Sequence, residues 1–233
     1  MLHVSEEIRS HYDSYYGDPR LARWRSLGAI DKAQNVLALC GDLGVRTLID
    51  IGCGDGAVSN ALALRGFAVN RFGVDISQSA ISDARRKNIA NTTFDVFDGA
   101  TIPVLEGHFD LAVLSHVVEH LEYPRVLIRE ARRVAKHVFL EVPCEHTIRL
   151  PRDFTADSVG HINFYTPKTI RRLVQTCGLT VDRELVTGSS LPLLLYQRPL
   201  FGYLQYALRA TALAVVPTIA PAIFVYHSAL LCH

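Results

Sequence analysis

The sequence has no surplus of charge. Over 233 residues, 24 Lys and Arg stand against 23 Asp and Glu, a formal net charge of +1. A protein whose main partner is nucleic acid usually needs a basic excess, so no nucleic-acid partner is expected. Cys-x-x-Cys pairs are absent too. The five cysteines (Cys40, Cys53, Cys144, Cys177 and Cys232) are odd in number and scattered, which leaves zinc-ribbon and thioredoxin readings without support. Residues 1–20 are polar and charged and hold no apolar core of a secretory signal, so the expected compartment is the reducing cytoplasm. Repeats, low-complexity tracts and linkers are missing as well. Charge itself is missing from one region: residues 191–233 carry only Arg198 and Arg209 as formal charges. Such a run is long enough to span a bilayer. Pro217 and Pro221 interrupt it, and Thr211, Thr218, His227 and Ser228 dilute it, which argues against a spanning helix.

What is present points to a packed domain. Hydrophobic residues make up 49% and charged residues 20%, a balance that excludes disorder. The length suits one large domain with its own core. Between residues 28 and 190, helix-like and strand-like segments alternate, the pattern of a parallel sheet covered by helices. Strands are expected at 46–51, 69–76, 93–97, 109–114, 137–142 (stopped by Pro143), 179–186 and 222–232. Helices are expected at 30–43, 57–65, 78–87, 117–134 (bent or broken at Pro124), 167–177 and 197–216. Ser77 and Thr166 read as N-caps.

The strongest local motif is Asp50-Ile51-Gly52-Cys53-Gly54-Asp55-Gly56, directly after a strand and opening a helix. Alternating glycines let the chain bend sharply and let a ligand approach the main chain. The spacing departs from the dinucleotide pattern G-x-G-x-x-G, and no Gly-Lys-Ser/Thr follows, which excludes a P-loop. Asp75 ends the second strand, where an acid can hold both ribose hydroxyls. Asp98 ends the third, placed to accept a hydrogen bond from an adenine amino group.

These residues, with Phe109-Asp110-Leu-Ala-Val-Leu-Ser-His-Val-Val-Glu119-His120-Leu, resemble the class I S-adenosylmethionine-dependent methyltransferases over about residues 46–186. Within them the sequence is most similar to the small-molecule group that includes ubiquinone-pathway enzymes. The resemblance implies a Rossmann-like, doubly wound α/β fold with a mostly parallel seven-stranded sheet and an antiparallel last strand. It implies S-adenosyl-L-methionine as cofactor and S-adenosyl-L-homocysteine as product. Gly52, Cys53 and Gly54 would pass the methionine part, with Asp50 near its amino group. Asp75 would hold the ribose, Ile76 would pack on adenine, and Asp98 with Gly99 would meet the adenine edge. Ser115 and His116 would lie beside the methionine carboxylate and sulfonium.

Methyl transfer to a hydroxyl calls for positioning, exclusion of water and, for some acceptors, a base near neutral pKa. His116, His120 and His161 are the candidates, with the base expected at His116 or His161. Glu141, His146, Tyr15 and Tyr16 are expected at the substrate, and no metal site is expected. Gly160-His161-Ile-Asn163-Phe164-Tyr165 should fold back over the site. One domain is expected: a lid segment at 1–27, a cofactor core at 46–186, an apolar helical insertion at 187–221 and a final strand at 222–233. The expected activity is methyl transfer to a small acceptor, most often at oxygen. RNA or protein methylation, or a silent binding protein of this fold, are the alternatives. Residues 191–221 form an extra core layer, a dimer face, or a cover for an apolar acceptor or a membrane surface.

Overall fold

A computed structural model describes residues 19–150 and 160–233. The elements run α1 (Pro19–Cys40), β1 (Thr47–Ile51), α2 (Ala57–Ala63), β2 (Asn70–Asp75), α3 (Gln78–Arg86), β3 (Thr92–Val96), β4 (Phe109–Ser115), a 3-10 turn (Val118–His120), α4 (Pro124–Val134), β5 (Ala135–Cys144), α5 (Pro167–Thr176), β6 (Val181–Thr187), α6 (Leu191–Gln197), α7 (Gly202–Val215), α8 (Ala220–Ile223) and β7 (Tyr226–Cys232). Seven strands form one sheet in the order β3-β2-β1-β4-β5-β7-β6. The first five are parallel, and β7 is antiparallel to both β5 and β6. This is the doubly wound α/β architecture expected, with its reversed last strand.

The period-2 geometry of strands sorts side chains onto two faces. Ala112, Leu114, Val138, Leu140 and Leu230 pack with Leu127, Ile128, Ala131 and Val134 of α4 and with Ile170, Leu173 and Val174 of α5. Leu111, Val113, Phe139, Ala229 and Leu231 pack with Ala33, Val36 and Cys40 of α1. Both faces are covered, which is why β4 and the centre of β5 are unbroken apolar runs. The same alternation carries Ser115, Glu141 and His227 onto the α1 face at the strand ends.

Several boundaries differ from expectation, each for a local reason. The expected helix 117–134 is a 3-10 turn followed by α4. Pro124 lies in the first turn of α4, and Tyr123 before it has φ −123° and ψ 66°, outside the helical region that a residue preceding proline avoids. β5 is not stopped by Pro143 but runs through it, with Pro143 opposite His227. Its missing N–H falls beyond the last β4 partner pair, Ser115 with Glu141, where nothing on that side needs a donor. The apolar helix expected at 197–216 is α7, which starts at Gly202 after Pro199, and a separate helix, α6, precedes it at Leu191–Gln197. The final strand starts at Tyr226 rather than residue 222, because Pro221 sits in the first turn of α8.

The apolar insertion is divided: Leu193 and Leu194 of α6 and Ala220 are buried, whereas α7 adds no core layer. Tyr203, Leu204 and Leu208 are exposed, as are Val215 and Ile219. Among the described residues, no helix is long and apolar enough to cross a membrane.

Candidate active site

The glycine loop and Asp75 form one unit. The amides of Gly52 and Cys53 both donate to the Val74 carbonyl, at 2.8 and 3.1 Å. The Gly54 amide donates to Asp75 Oδ2 at 2.8 Å, and the Ser77 amide donates to Asp75 Oδ1 at 2.9 Å. Asp75 is 6% exposed. Gly52 has φ +75°, and a Cβ there would stand 2.6 Å from Val117 Cγ2. Only glycine fits a left-handed backbone packed this closely against Val117. Gly54, at φ +53°, is left-handed too.

Asp50 is buried at the end of β1 and accepts the Ser59 hydroxyl at 2.7 Å. Burial pushes its carboxyl up to about 6, opposed by the Ser59 hydrogen bond and the Lys32 charge. Cys53 is buried, and burial holds its thiol well above the usual range, so it is not a nucleophile. Ile76 packs half-buried against the core under α4. Asp98 is exposed two residues beyond β3, where its Oδ1 accepts from the amides of Ala100 and Thr101 at 2.8 and 2.7 Å. That bond shapes the turn at Gly99, whose φ is +90°.

A second cluster forms where β4 and β5 end and β7 starts. Glu141 is fully buried. Ser115 Oγ donates to its Oε2 at 3.0 Å, and Asn35 Nδ2 to its Oε1 at 2.9 Å. His116 Nε2 and His227 Nδ1 face the same Oε1 at 3.8 and 3.6 Å. His116 Nδ1 faces Glu119 Oε1 at 3.5 Å. Desolvation is the main cause that moves four of the ionisable groups here away from their ordinary ranges. It holds the His116 ring well below 6.5, moves the His227 ring to about 3, raises Glu119 to about 7 and lowers Lys32. Lys32 shares the field of Glu141, Glu119 and Asp50.

A third group sits one turn on. His161 Nδ1 lies 2.6 Å from Glu145 Oε2, and its ring centre is 4.7 Å from that of His120. His120 Nδ1 lies 3.2 Å from the Gly160 carbonyl. The segment after residue 160 does fold back. The amides of Ile162 and Asn163 donate to the Glu119 carbonyl, each at 2.9 Å, and Asn163 Nδ2 donates to the Leu121 carbonyl at 2.7 Å. His146 is exposed and joins neither group by its ring. Tyr15 and Tyr16 lie outside the described residues.

The structure therefore brings together Asp50, Gly52, Gly54 and Asp75, and separately Ser115, His116 and Glu141. Sequence reasoning missed Lys32, Asn35 and His227. Their signal was faint: polar residues on the inward face of α1 and inside an otherwise apolar final strand.

A family profile described as "Methyltransferase domain" matches residues 21–184. The chain belongs to the methyltransferase family. Among curated relatives, the ajmaline N-methyltransferase of Rauvolfia serpentina is 33% identical over 95 residues, covering 39% of this chain and 32% of that one. The ubiquinone biosynthesis O-methyltransferase of Pseudomonas paraeruginosa is 29% identical over 95 residues, 39% and 40%. These matches span about a third to two fifths of the relatives' own length. Among solved structures, the magnesium protoporphyrin IX methyltransferase of Synechocystis PCC 6803 with bound S-adenosylhomocysteine has TM-score 0.60 and 18% identity, covering 97% of this chain and 94% of that one. The 4+2 cyclase SpnF has TM-score 0.63 and 18% identity, with 88% and 80% covered. Both share the fold of this methyltransferase. That one of them is named a cyclase shows why the site, and not the fold, has to carry the function.

Proposed function

We propose that this methyltransferase binds S-adenosylmethionine over the Gly52–Gly56 loop and methylates a small, largely apolar acceptor at oxygen. The observation that carries the reading is the 2.8 Å bond from the Gly54 amide to Asp75, which locks the loop and the acid into one cradle at the ends of β1 and β2. The residues fit the cofactor: an acid at the end of β2 is tied to the amide of a left-handed glycine loop at the end of β1. Asp75 would take the ribose, Ile76, Asp98 and Gly99 the adenine, and Asp50, Ser115 and His116 the methionine end. When bound, S-adenosylmethionine supplies a methyl carbon activated by its sulfonium.

The chain's own work is then to orient the acceptor, exclude water and take a proton. A cavity of about 490 Å³ lies between α1, the end of β6 and α7, lined by Asn35, Thr187, Tyr206, Arg209, Leu213 and Tyr226. Its size and apolar wall suit a small organic acceptor. Asn35 donates to both Thr187 and Glu141, and so links the cavity to the strand-end cluster. In this reading residues 1–233 are one domain, 46–186 hold the cofactor and 187–221 cover the acceptor.

His161 is the better base of the three histidines. Glu145 at 2.6 Å orients its ring and stabilises the protonated form. His116 is held neutral by burial and binds a proton poorly. His120 Nδ1 meets the neutral Gly160 carbonyl at 3.2 Å, where His161 has a carboxylate. The test is a panel of phenols and amines incubated with S-adenosylmethionine, with release of S-adenosylhomocysteine read by mass spectrometry. We expect release with phenols, cut at least tenfold by His161→Ala while product binding persists. Release with amines alone would overturn the oxygen assignment.

A further inference from the structure

The cluster at the ends of β4 and β5 and the start of β7 holds an imidazole, His227, that the scheme above leaves unused, beside the ring of His116. His116 Nε2 and His227 Nδ1 are buried and have no hydrogen-bond partner. Both face one carboxylate oxygen, Glu141 Oε1, at 3.8 and 3.6 Å. These separations are too long for hydrogen bonds, which lie at about 2.7–3.2 Å. They match two ligands sharing one ion: bonds of about 2.0–2.2 Å meeting at a near-tetrahedral or wider angle put donor atoms roughly 3.3–3.8 Å apart. The three donor atoms lie within 4.8 Å of one another. We infer that His116, Glu141 and His227 form a binding site for a divalent transition-metal ion, with zinc as the representative of its class.

The surroundings are those of a metal site. Asn35 and Ser115 each donate to one oxygen of Glu141, fixing the carboxylate from outside. His116 presents its other nitrogen, Nδ1, to Glu119 Oε1 at 3.5 Å. Among the described residues, His116 is also one of four non-glycine residues with positive φ, at +59°, a strained conformation that structures hold where a side chain must be aimed. The rings of His116 and His227 meet edge to face at 4.8 Å, so both approach the carboxylate from different directions. Two imidazoles and one carboxylate favour zinc or iron over magnesium or calcium. Three protein ligands leave a coordination position open.

The neighbouring triad of Glu119, His120 and His161 has comparable spacing. The first site differs in that the ring nitrogens facing its carboxylate, His116 Nε2 and His227 Nδ1, have no hydrogen-bond partner, whereas His161 Nδ1 is already bonded to Glu145 at 2.6 Å. Lys32 is the competitor at the first site, because its ammonium shares the field of Glu141. A dication and a charged Lys32 oppose each other, and this gives the inference a second handle.

The test is equilibrium dialysis of the chelator-treated full chain against zinc alone, with bound metal measured by plasma emission. We expect one equivalent bound at micromolar zinc. His227→Ala and Glu141→Gln should each weaken it at least tenfold, and Lys32→Met should tighten it. Cobalt in place of zinc should give a visible absorption that His227→Ala abolishes. Absence of binding to the wild type at about 100 µM zinc, or an equivalent that survives both His227→Ala and Glu141→Gln, would overturn the inference. A parallel titration with S-adenosylhomocysteine reports folding of each variant. It also separates this question from methyl transfer, since cofactor-product binding does not require the metal.

Discussion

Asp110 shows how a residue inside a recognised motif can serve the scaffold instead of the chemistry. Its Oδ2 accepts from the amides of Arg46 and Thr47 and from the Thr47 hydroxyl, each at 3.0 Å, and Lys136 Nζ meets Oδ1 at 2.8 Å. It clamps the start of β1 to the start of β4, at the opposite end of the strands from the site. Lys136 first, then the Thr47 and Arg46 donors, hold its carboxyl well below the usual range. The folded state thus favours the ionised form. Its stabilisation is complete above the unfolded value near 3.9 and is lost as pH falls below it. We expect Asp110→Ala to cost about 1–3 kcal/mol at pH 7, and the gap from wild type to narrow below about pH 4. Urea unfolding at pH 7, 4 and 3 measures both.

The 3-10 turn Val118–His120 carries Glu119 and His120 and is held in place by the segment after residue 160. Asn163 Nδ2 donates to the Leu121 carbonyl, and two backbone amides reach the Glu119 carbonyl. Asn163→Ala should therefore cost about 1–2 kcal/mol and lower turnover, while the affinity for S-adenosylhomocysteine holds. A change confined to that affinity would contradict this. On α7, Leu204 and Leu208 are 68% and 53% exposed. The double variant Leu204→Glu, Leu208→Glu should shift Tm by no more than about 2 °C, as differential scanning fluorimetry would show; a large drop would mean the face is buried against something. The elements also show what a sequence can disclose. The glycine loop and Asp75 were legible because local backbone geometry demands those residues. The passage of β5 through Pro143 was not, since it depends on β7 pairing alongside. The meeting of Asn35, Glu141 and His227 was hidden for the same reason. It exists only because β7 inserts between β5 and β6 and α1 lies across them.

At the scale of the whole molecule, the strand order turns at β1, with β2 and β3 on one side and β4 and β5 on the other. In open α/β sheets the crevice at such a reversal, at the carboxyl ends of the strands, is where ligands bind. The glycine loop, Asp75 and Ser115 all stand there, and the apolar insertion closes the far side over a cavity that reaches Asn35. Composition alone left this apolar excess open to a membrane reading. Tyr203, Leu204, Tyr206, Leu208 and Val215 of this excess are exposed on α7, and α7 is too short to span a bilayer at 14 residues. The central claim is that the cradle of Gly54 and Asp75 binds the cofactor. The most direct measurement is calorimetric titration of the wild type, Asp75→Ala and Asp75→Asn with S-adenosylhomocysteine, each checked for an intact thermal transition. We predict wild-type binding with Kd below about 100 µM, weakened at least tenfold, or about 1.4 kcal/mol, in both folded variants. No binding by the wild type, or equal affinity in all three, would contradict it.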